Sequence, residues 1–561
     1  MEVPRMYRAQ WEERCQLQFV PKTEDRDQWL KEWIDPEGNG NIYQHSLVSK
    51  PEGYDGSIYR IKIKFPYRVF TNSGQDDSIQ RPPFGKKGIP FISGSSIKGL
   101  FRRVCHDDED KLFYCGSSDK PGCLRFHGAY PIGDWTGKVR FPIIRNGERL
   151  FETCYTILDI AHPQQEKQVK TQETTNANTF ISLLEPTLVF EFSSNDKNSD
   201  RKIDWQEVKK LLETALKQGL GGKTSNGYGM YGKPDFVTFP ETIHLSLIGS
   251  GVSSTLLKGK VDLPKNWSGN EPQGQGKSEF RSNIFKASLR GHVSRLFTGV
   301  CHDEQLVKQK TDELFGSSDN LGEVKIFWEQ QRKPQHNSGG KNPTYSTQGI
   351  LYIYSQKNQS FIQQVVQFAY VMGGFGKTWR RVSHEHFFPS YHQNNFAIGC
   401  HWIGTCTGFV PINNRENLTD FLEGLYKNCQ KYLSIDSPTF IGEWREAWHP
   451  KRVAVYSQIV AQSQAIELFH QDSFKHTPAI GGRNPSRDEN KKSKLEFVSS
   501  VWHRMLPIGN NQYLEIVTVF HGDAAKQPLR DRTPWRDQLK PFINSLKHAG
   551  LQLSWGSEWE S

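Results

Sequence analysis

GIPFISGSSIKGLFRRVCHDDEDKLFYCGSSD, residues 88–119, and KSEFRSNIFKASLRGHVSRLFTGVCHDEQLVKQKTDELFGSSD, residues 277–319, are two versions of one pattern. Each passes from a serine-containing helix start through a Lys-x-x-x-Arg pair, Lys98/Arg102 and Lys286/Arg290, to Val-Cys-His-Asp. Leu-Phe and Gly-Ser-Ser-Asp then follow in both. Downstream of each lies a glycine-rich turn with Gly-Lys-Thr, GLGGKTSNGYG at 219–229 and GGFGKT at 373–378. Shared landmarks in a fixed order mark an internal duplication. A basic, glycine-punctuated module used twice points to a polymer with a regular repeat.

Outward from the first copy, Ile58–Phe65 alternates apolar and basic residues, the pattern of a half-exposed strand. Ile97, Leu100, Phe101 and Val104 fall on one helical face. A further strand is expected near Thr187–Phe192 and a helix over Trp205–Gln218. This order predicts a ferredoxin-like α+β domain. The second copy repeats it from Ile243–Ile248, through its own loop Gly249–Glu279, to a helix bearing Phe285, Leu289, Val293 and Leu296. Between its Lys-x-x-x-Arg and Val-Cys-His-Asp it is eight residues longer, about two helical turns. The expected architecture is therefore α+β, two tandem ferredoxin-like (RNA-recognition-like) domains with insertions, at 56–238 and 239–410. Residues 1–55 form an N-terminal extension. Residues 411–561 are a C-terminal extension, or the part that completes the second domain.

The 561 residues suit two or three domains. Apolar residues make up 35%, charged residues 24% and aromatic residues 12%, a composition that excludes a disordered chain. The net charge of +10 suits an anionic partner or merely a soluble surface. No apolar run is long enough to span a membrane and the N-terminus lacks a signal-peptide pattern, so no membrane partner is expected and the expected location is the cytoplasm. Nine cysteines in so long a chain argue against a disulfide framework.

The pattern Pro-x-Ile-x-Gly-Ser-Ser-x-Lys-Gly-x-x-Arg at 90–102 resembles the RAMP superfamily of CRISPR effector proteins. It is most similar to the Cas-seven-like backbone subunits of type III complexes. The second copy holds the pattern in degraded form, with Arg-Ser-Asn-Ile-Phe-Lys at 281–286. One chain with two such modules resembles the fused double-backbone subunit of type III-D effectors. The resemblance implies a ferredoxin core, guide RNA and complementary target RNA as ligands, and other type III effector subunits as partners.

Ser95 and Ser96 can cap amides at a helix start, where the dipole favours a phosphate. Lys98 and Arg102, with Arg103 beside them, and Lys286 with Arg290 are like charges on one face, which cost a helix a few tenths of a kcal/mol. Their recurrence asks for a reason, and phosphate contact supplies one; a solvated helix face is the plain alternative. A nucleotide-binding P-loop needs glycine where Lys217 and Val371 stand, so that reading fails in both copies. Lys223, Tyr228, Lys377, Trp379, Arg380 and Arg381 fit single-stranded RNA, with cations for phosphates and rings for bases. An ordinary helix-to-strand turn would look the same.

Asp76 and Asp77 stand in the loop after the first strand, where two acids commonly make a turn. The resemblance implies that one of them, Asp77 by preference, supports Mg²⁺-dependent cleavage of target RNA by in-line attack of a ribose 2′-hydroxyl. Asp262 is the counterpart in the second module. Cys105, His106, Cys115 and Cys123 could bind structural Zn²⁺, or be buried thiols beside a surface histidine. For the polar segment His162–Phe180 the resemblance implies a protruding arm that wedges between paired guide and target bases, with a surface loop as the alternative; Arg483–Lys494 reads as a solvated basic loop, with contact to RNA or a neighbouring subunit as the alternative. The rival to a nuclease is a non-catalytic RNA-binding scaffold of the same complex. A metal-independent nuclease would need grouped histidines, and nothing groups His162, His244 and His384.

Overall fold

The structure is a computed structural model and describes residues 33–34, 42–71, 75–76, 79–80, 83–85, 88–145, 147–161, 178–195, 202–255, 260–264, 278–317, 320–337, 344–388, 398–474, 480, 482–483, 495–497, 499–522 and 535–558. The chain divides into two compact units. The first holds Met1–Ala161, Ala177–Phe239 and Thr255–Lys277; the second holds His162–Asn176, Pro240–Ser254 and Ser278–Ser561. Among the described residues no helix is long and apolar enough to cross a membrane.

In the first unit the basic-apolar alternation becomes β1 (Tyr59–Lys64), which buries Ile61 and Ile63 and exposes Lys64. There follow α1 (Gly94–Val104), β2 (Leu124–Ile132), β3 (Lys138–Arg145), β4 (Glu148–Tyr155), β5 (Leu158–Ala161), β6 (Asn178–Leu183), β7 (Thr187–Ser194) and α2 (Trp205–Leu216). An antiparallel sheet runs Gly53–Tyr54, β1, β7, β2. In the central strand β7, Phe190 lies opposite Ile61 on one side and Ala129 on the other, and all three are buried. α1 buries Ile97 and Phe101 against this sheet, and α2 adds Val208, Leu211, Leu212 and Leu216 to the same core. Asp204 starts α2 by accepting from the Gln206 and Glu207 amides at 2.9 and 3.3 Å. The order β1-β7-β2 is that of a ferredoxin sheet, but the place of its fourth strand holds only Gly53–Tyr54. A second sheet runs Val69–Phe70, β6, β5, and in a third β4 stands between β3 and the short strand Lys260–Asp262.

The second unit contains β8 (Thr242–Val252), α3 (Asn283–Thr298), α4 (Glu304–Phe315), β9 (Lys325–Asn337), β10 (Thr344–Tyr354), α5 (Gln359–Met372) and β11 (Cys400–Thr405). Its antiparallel order β9-β10-β8-β11 is the complete ferredoxin sheet. The additional residues of the second copy lengthen the helix, 16 residues in α3 against 11 in α1. After α6 (Arg415–Leu433) come β12 (Val453–Val460), β13 (Val501–Gly509), β14 (Gln512–Phe520), α7 (Trp535–His548) and β15 (Gln552–Gly556). They form another sheet of the same order, β13-β14-β12-β15, with the short helix Ala465–His470 after its first strand. The C-terminal region thus carries a ferredoxin-ordered sheet of its own.

One core serves both sheets of this unit, joining Phe285, Leu289 and Trp402 to Val455, Trp502 and Ile516. Trp448 stacks on Trp502 and Trp555 with ring centroids 5.7 and 5.2 Å away. Within it, Glu446 is fully buried among three arginines. Arg295 Nε and Arg380 Nη2 donate to its Oε2 at 2.7 and 2.8 Å, while Arg380 Nη1 and Arg445 Nη2 donate to Oε1. Burial alone would raise the Glu446 carboxyl, but the guanidiniums hold it far below the carboxylate range; burial pushes Arg380 down to about 9.

Two outcomes follow. Glu446→Gln leaves three buried guanidiniums without their carboxylate and should cost about 3–5 kcal/mol in denaturant unfolding. His384 and His401, pushed down to about 3 by burial and then by nearby arginines, fold as neutral rings. Their contribution is fully present above the unfolded value of about 6.5 and is lost as pH falls toward 3. The thermal midpoint should therefore drop between about pH 7 and about pH 5, and replacing both histidines by apolar residues should flatten that slope.

Candidate nucleic-acid interface

Ser93 caps α1: its Oγ accepts from the Ser96 amide at 3.4 Å and lies 3.0 and 2.9 Å from the hydroxyls of Ser95 and Ser96. Three hydroxyls thus gather at the positive end of the helix. A Cβ on Gly94 would overlap the Phe126 carbonyl, so this end is seated directly on β2. Lys98 is half-buried and Arg103 exposed, and neither has a hydrogen bond or ion pair among the described residues. Arg102 is exposed, yet its Nη1 donates to the Gly116 carbonyl at 3.1 Å. Arg290 does the same to Gly316 at 2.5 Å and also pairs with Asp312. In both copies the arginine ties its helix to the glycine that opens Gly-Ser-Ser-Asp, and the Ser117 and Ser317 hydroxyls accept from the Lys120 and Asn320 amides. This contact is an intramolecular reason for the recurrence of the arginine.

The glycine-rich loop of the first unit packs on Val69–Phe70, just after β1. Gly222 N donates to Phe70 O at 3.1 Å and Gly229 N to Arg68 O at 2.6 Å. A Cβ on Gly221 would overlap the Phe70 carbonyl, and both Gly221 and Gly229 have left-handed backbones. Lys223 is left-handed as well, at φ 57°, and its ammonium lies 5.7 Å from the Phe70 ring centroid. Burial lowers the pKa of Lys223 and Asp159 opposes that shift. Tyr228 is buried and donates to Asp159 Oδ2 at 2.5 Å, so its ring is committed to the loop's own packing rather than presented to a base. Sequence reading missed Asp159; the available signal was one acid in the apolar strand Leu-Asp-Ile-Ala.

The second unit repeats the contact as a bridge between Val252, at the end of β8, and Lys377. Cys400 Sγ donates to Lys377 O at 3.0 Å, and Thr378 is left-handed at φ 60°. Lys377 is exposed and Arg381 half-buried, whereas Trp379 and Arg380 are buried, Arg380 against Glu446. Lys286 differs from its counterpart Lys98: it is 4% exposed, its Nζ has no hydrogen-bond partner among the described residues, and burial, then Arg290, pushes it down to about 7.

Asp76 lies on the strand Gln75–Asp76, paired with Ile79–Gln80, while Asp77 lies outside the described residues. Asp262 is on a strand of the first unit, opposite Phe151 of β4, rather than in an unpaired loop. The side chains of Asp76 and Asp262 are also outside what is described, and with Asp77 they are the residues on which the Mg²⁺ expectation rests. The zinc expectation fits poorly. Cys105 and Cys115 are buried, and burial raises both thiols, Cys115 to about 12. His106 turns away to Glu207, 3.2 Å off, and among the described residues no three His, Cys, Asp or Glu could hold a metal ion. His384 is buried, His244 is exposed beside Tyr352, and His162 lies outside the described residues. So do 162–177, between β5 and β6, and 484–494, beyond the strand Gly482–Arg483.

Residues 62–231, from β1 through the glycine loop, match the family model of the RAMP superfamily. No curated protein sequence matches the chain. Among solved structures, apo Cmr1 from Pyrococcus furiosus is 14% identical over 56% of this chain and 99% of that one, with a TM-score of 0.33. Cmr6 from Pyrococcus furiosus is 17% identical over 31% and 98%, with a TM-score of 0.19. A chain of the type III-B Cmr-beta bound to cognate target RNA is 16% identical over 37% and 74%, with a TM-score of 0.23.

The arginine contacts separate two roles. Arg290→Met should lower stability by about 1.5–3 kcal/mol, the loss of charge-assisted hydrogen bonds. Arg103→Met should stay within about 0.5 kcal/mol of the parent, as exposed substitutions do. Denaturant unfolding of both variants measures the difference.

Proposed function

We propose that the chain is an RNA-binding subunit of a type III CRISPR ribonucleoprotein. The observation that carries this reading is the span of the RAMP match, which takes in most of β1, the start of α1 and the glycine loop; the second unit repeats the loop contact as the bridge between Val252 and Lys377. A helix amino end, lysines and close-packed backbone amides are the chemistry that holds a phosphate. Binding of this kind is blind to base identity, so sequence choice is left to pairing between guide RNA and target RNA. Lys98, Arg103, Lys223, Lys377 and Arg381 are the cations this reading assigns to the backbone, with Ser95 and Ser96 at the helix start. Arg102 and Arg290 share that task with their turns, and Arg380 and Tyr228 act by holding their loops.

In the finer form of this reading the chain is the fused double-backbone subunit of a type III-D complex and cleaves target RNA. Asp77, in the loop after Phe70, would take the 2′-hydroxyl proton or hold Mg²⁺ beside the scissile phosphate, where the ion supplies charge neutralisation. A non-catalytic scaffold is the second reading, favoured for the Asp262 stretch by its pairing with β4.

A complex reconstituted with guide and labelled complementary RNA distinguishes the two, with Asp76→Ala, Asp77→Ala and Asp262→Ala compared in Mg²⁺ and in EDTA. Loss of one product band with Asp77→Ala, and of every band in EDTA, with RNA binding retained, supports the nuclease. Survival of every band in every variant leaves the scaffold. In the same material Lys98→Ala should lower the slope of log affinity against log salt by about 0.7, one phosphate contact on a single strand.

A further inference from the structure

β3 and β4 form a hairpin whose two faces differ in kind. Inward, Ile143 of β3 and Leu150, Glu152 and Cys154 of β4 are buried. Side chains alternate along a strand, and directly opposed residues of an antiparallel pair share a face. The register therefore sets Lys138 and Arg140 of β3 on the outward face together with Arg149, Phe151, Thr153 and Tyr155 of β4. The three cations are exposed and the two rings half-buried. Among the described side chains of the two strands this face holds no acid. Asp134, which precedes β3, is engaged by the Thr136 and Lys138 amides at 3.0 and 2.7 Å.

The Arg140 guanidinium lies 4.3 Å from the Phe151 ring centroid, and that of Arg149 lies 5.7 Å from it. One cation is enough to cover a ring; repulsion opposes a second, and a phosphate favours it. Among the described residues neither the Lys138 ammonium nor the Arg149 guanidinium has a hydrogen bond or ion pair. We propose that the outward face of the β3–β4 hairpin is a second surface for single-stranded RNA. A base stacks against the Arg140–Phe151 pair, and Lys138 and Arg149 take phosphates on either side of it. A planar guanidinium held over a ring is a flat cationic surface, and stacking on it tolerates any base. Lys138 lies level with Tyr155 and Arg149 with Ile144, six residues further along β3, about 20 Å at 3.4 Å per residue. A few nucleotides fit along that length. The surface adds to the helix start and the glycine loop and stands on different residues, so the two can fail separately.

The test uses the full-length protein and a labelled oligouridine, with affinity measured across a salt series. Phe151→Leu should bind about tenfold more weakly, the loss of one stacked base, and Phe151→Tyr should bind as the parent does. Lys138→Ala and Arg149→Ala should each lower the slope of log affinity against log salt by about 0.7. A ring merely covered by its arginines would lose stability in Phe151→Leu and leave affinity and slope unchanged, which overturns the inference. Unchanged RNA affinity with lost assembly of the reconstituted complex assigns the face to an acidic protein partner and overturns it as well. Lys98→Ala separates the two surfaces. If it alone weakens binding, the helix start holds RNA and this face does not. If it binds as the parent does while Phe151→Leu is weakened, the reading of the helix start fails and this face stands. Should Phe151→Leu not fold, the double variant Lys138→Ala/Arg149→Ala keeps the ring, and an unchanged salt slope overturns the inference.

Discussion

Both glycine-rich loops depend on one backbone contact, their approach to the end of the first strand of a sheet. In the first unit it is the Gly222 amide on the Phe70 carbonyl, and in the second the bridge between Val252 and Lys377. The distance is set by backbone against backbone, so side chains are excluded where the chains meet. Gly221 is forced to be glycine by the Phe70 carbonyl, and Gly229 by that of Leu220. The chain must then turn sharply, and the strain falls on Lys223 and Thr378, the non-glycine residues with left-handed backbones in the two loops. A buried acid, Asp159, anchors the first loop. In the second, the Cys400 thiol and the Thr378 hydroxyl, which accepts from the Gly399 amide at 3.1 Å, do the anchoring.

A repeated residue can be repeated for two reasons, and the Lys-x-x-x-Arg pair separates them. The arginine's guanidinium reaches the carbonyl of the glycine that opens Gly-Ser-Ser-Asp in both copies, and in the second it also pairs with Asp312. Among the described residues Lys98 and Arg103 have no such hydrogen bond or ion pair.

The fold was legible where its cause is local. Alternation marked β1, the i, i+3, i+4 spacing marked α1, and the polar landmarks aligned the second module with the first. The sheet formed by β12 to β15 was hidden because it keeps only the core pattern, which many unrelated strands satisfy, and none of those landmarks; its first crossover helix is only Ala465–His470. The site was legible by position and not by exposure. Arg380, Trp379 and Tyr228 look like surface groups in a glycine-rich loop, yet Glu446 and Asp159 draw Arg380 and Tyr228 inward. Those acids lie 66 and 69 residues away in sequence, beyond the reach of any local pattern. Of the four cysteine-cluster residues, Cys105 and Cys115 lie against each other while His106 turns to Glu207 on another helix.

Lys98 and Lys286 show that equivalent positions need not be equivalent chemically. In the first unit the lysine is half-exposed. In the second the same place is closed, 4% exposed, with the like charge of Arg290 acting on it and no hydrogen-bond acceptor for its protons among the described residues. An ammonium there is opposed first by lost hydration and then by a like charge, which is why it gives up its proton near neutrality. An arriving anion would reverse both terms at once, supplying an acceptor and an opposite charge. The charge on Lys286 therefore depends on what fills the space around it.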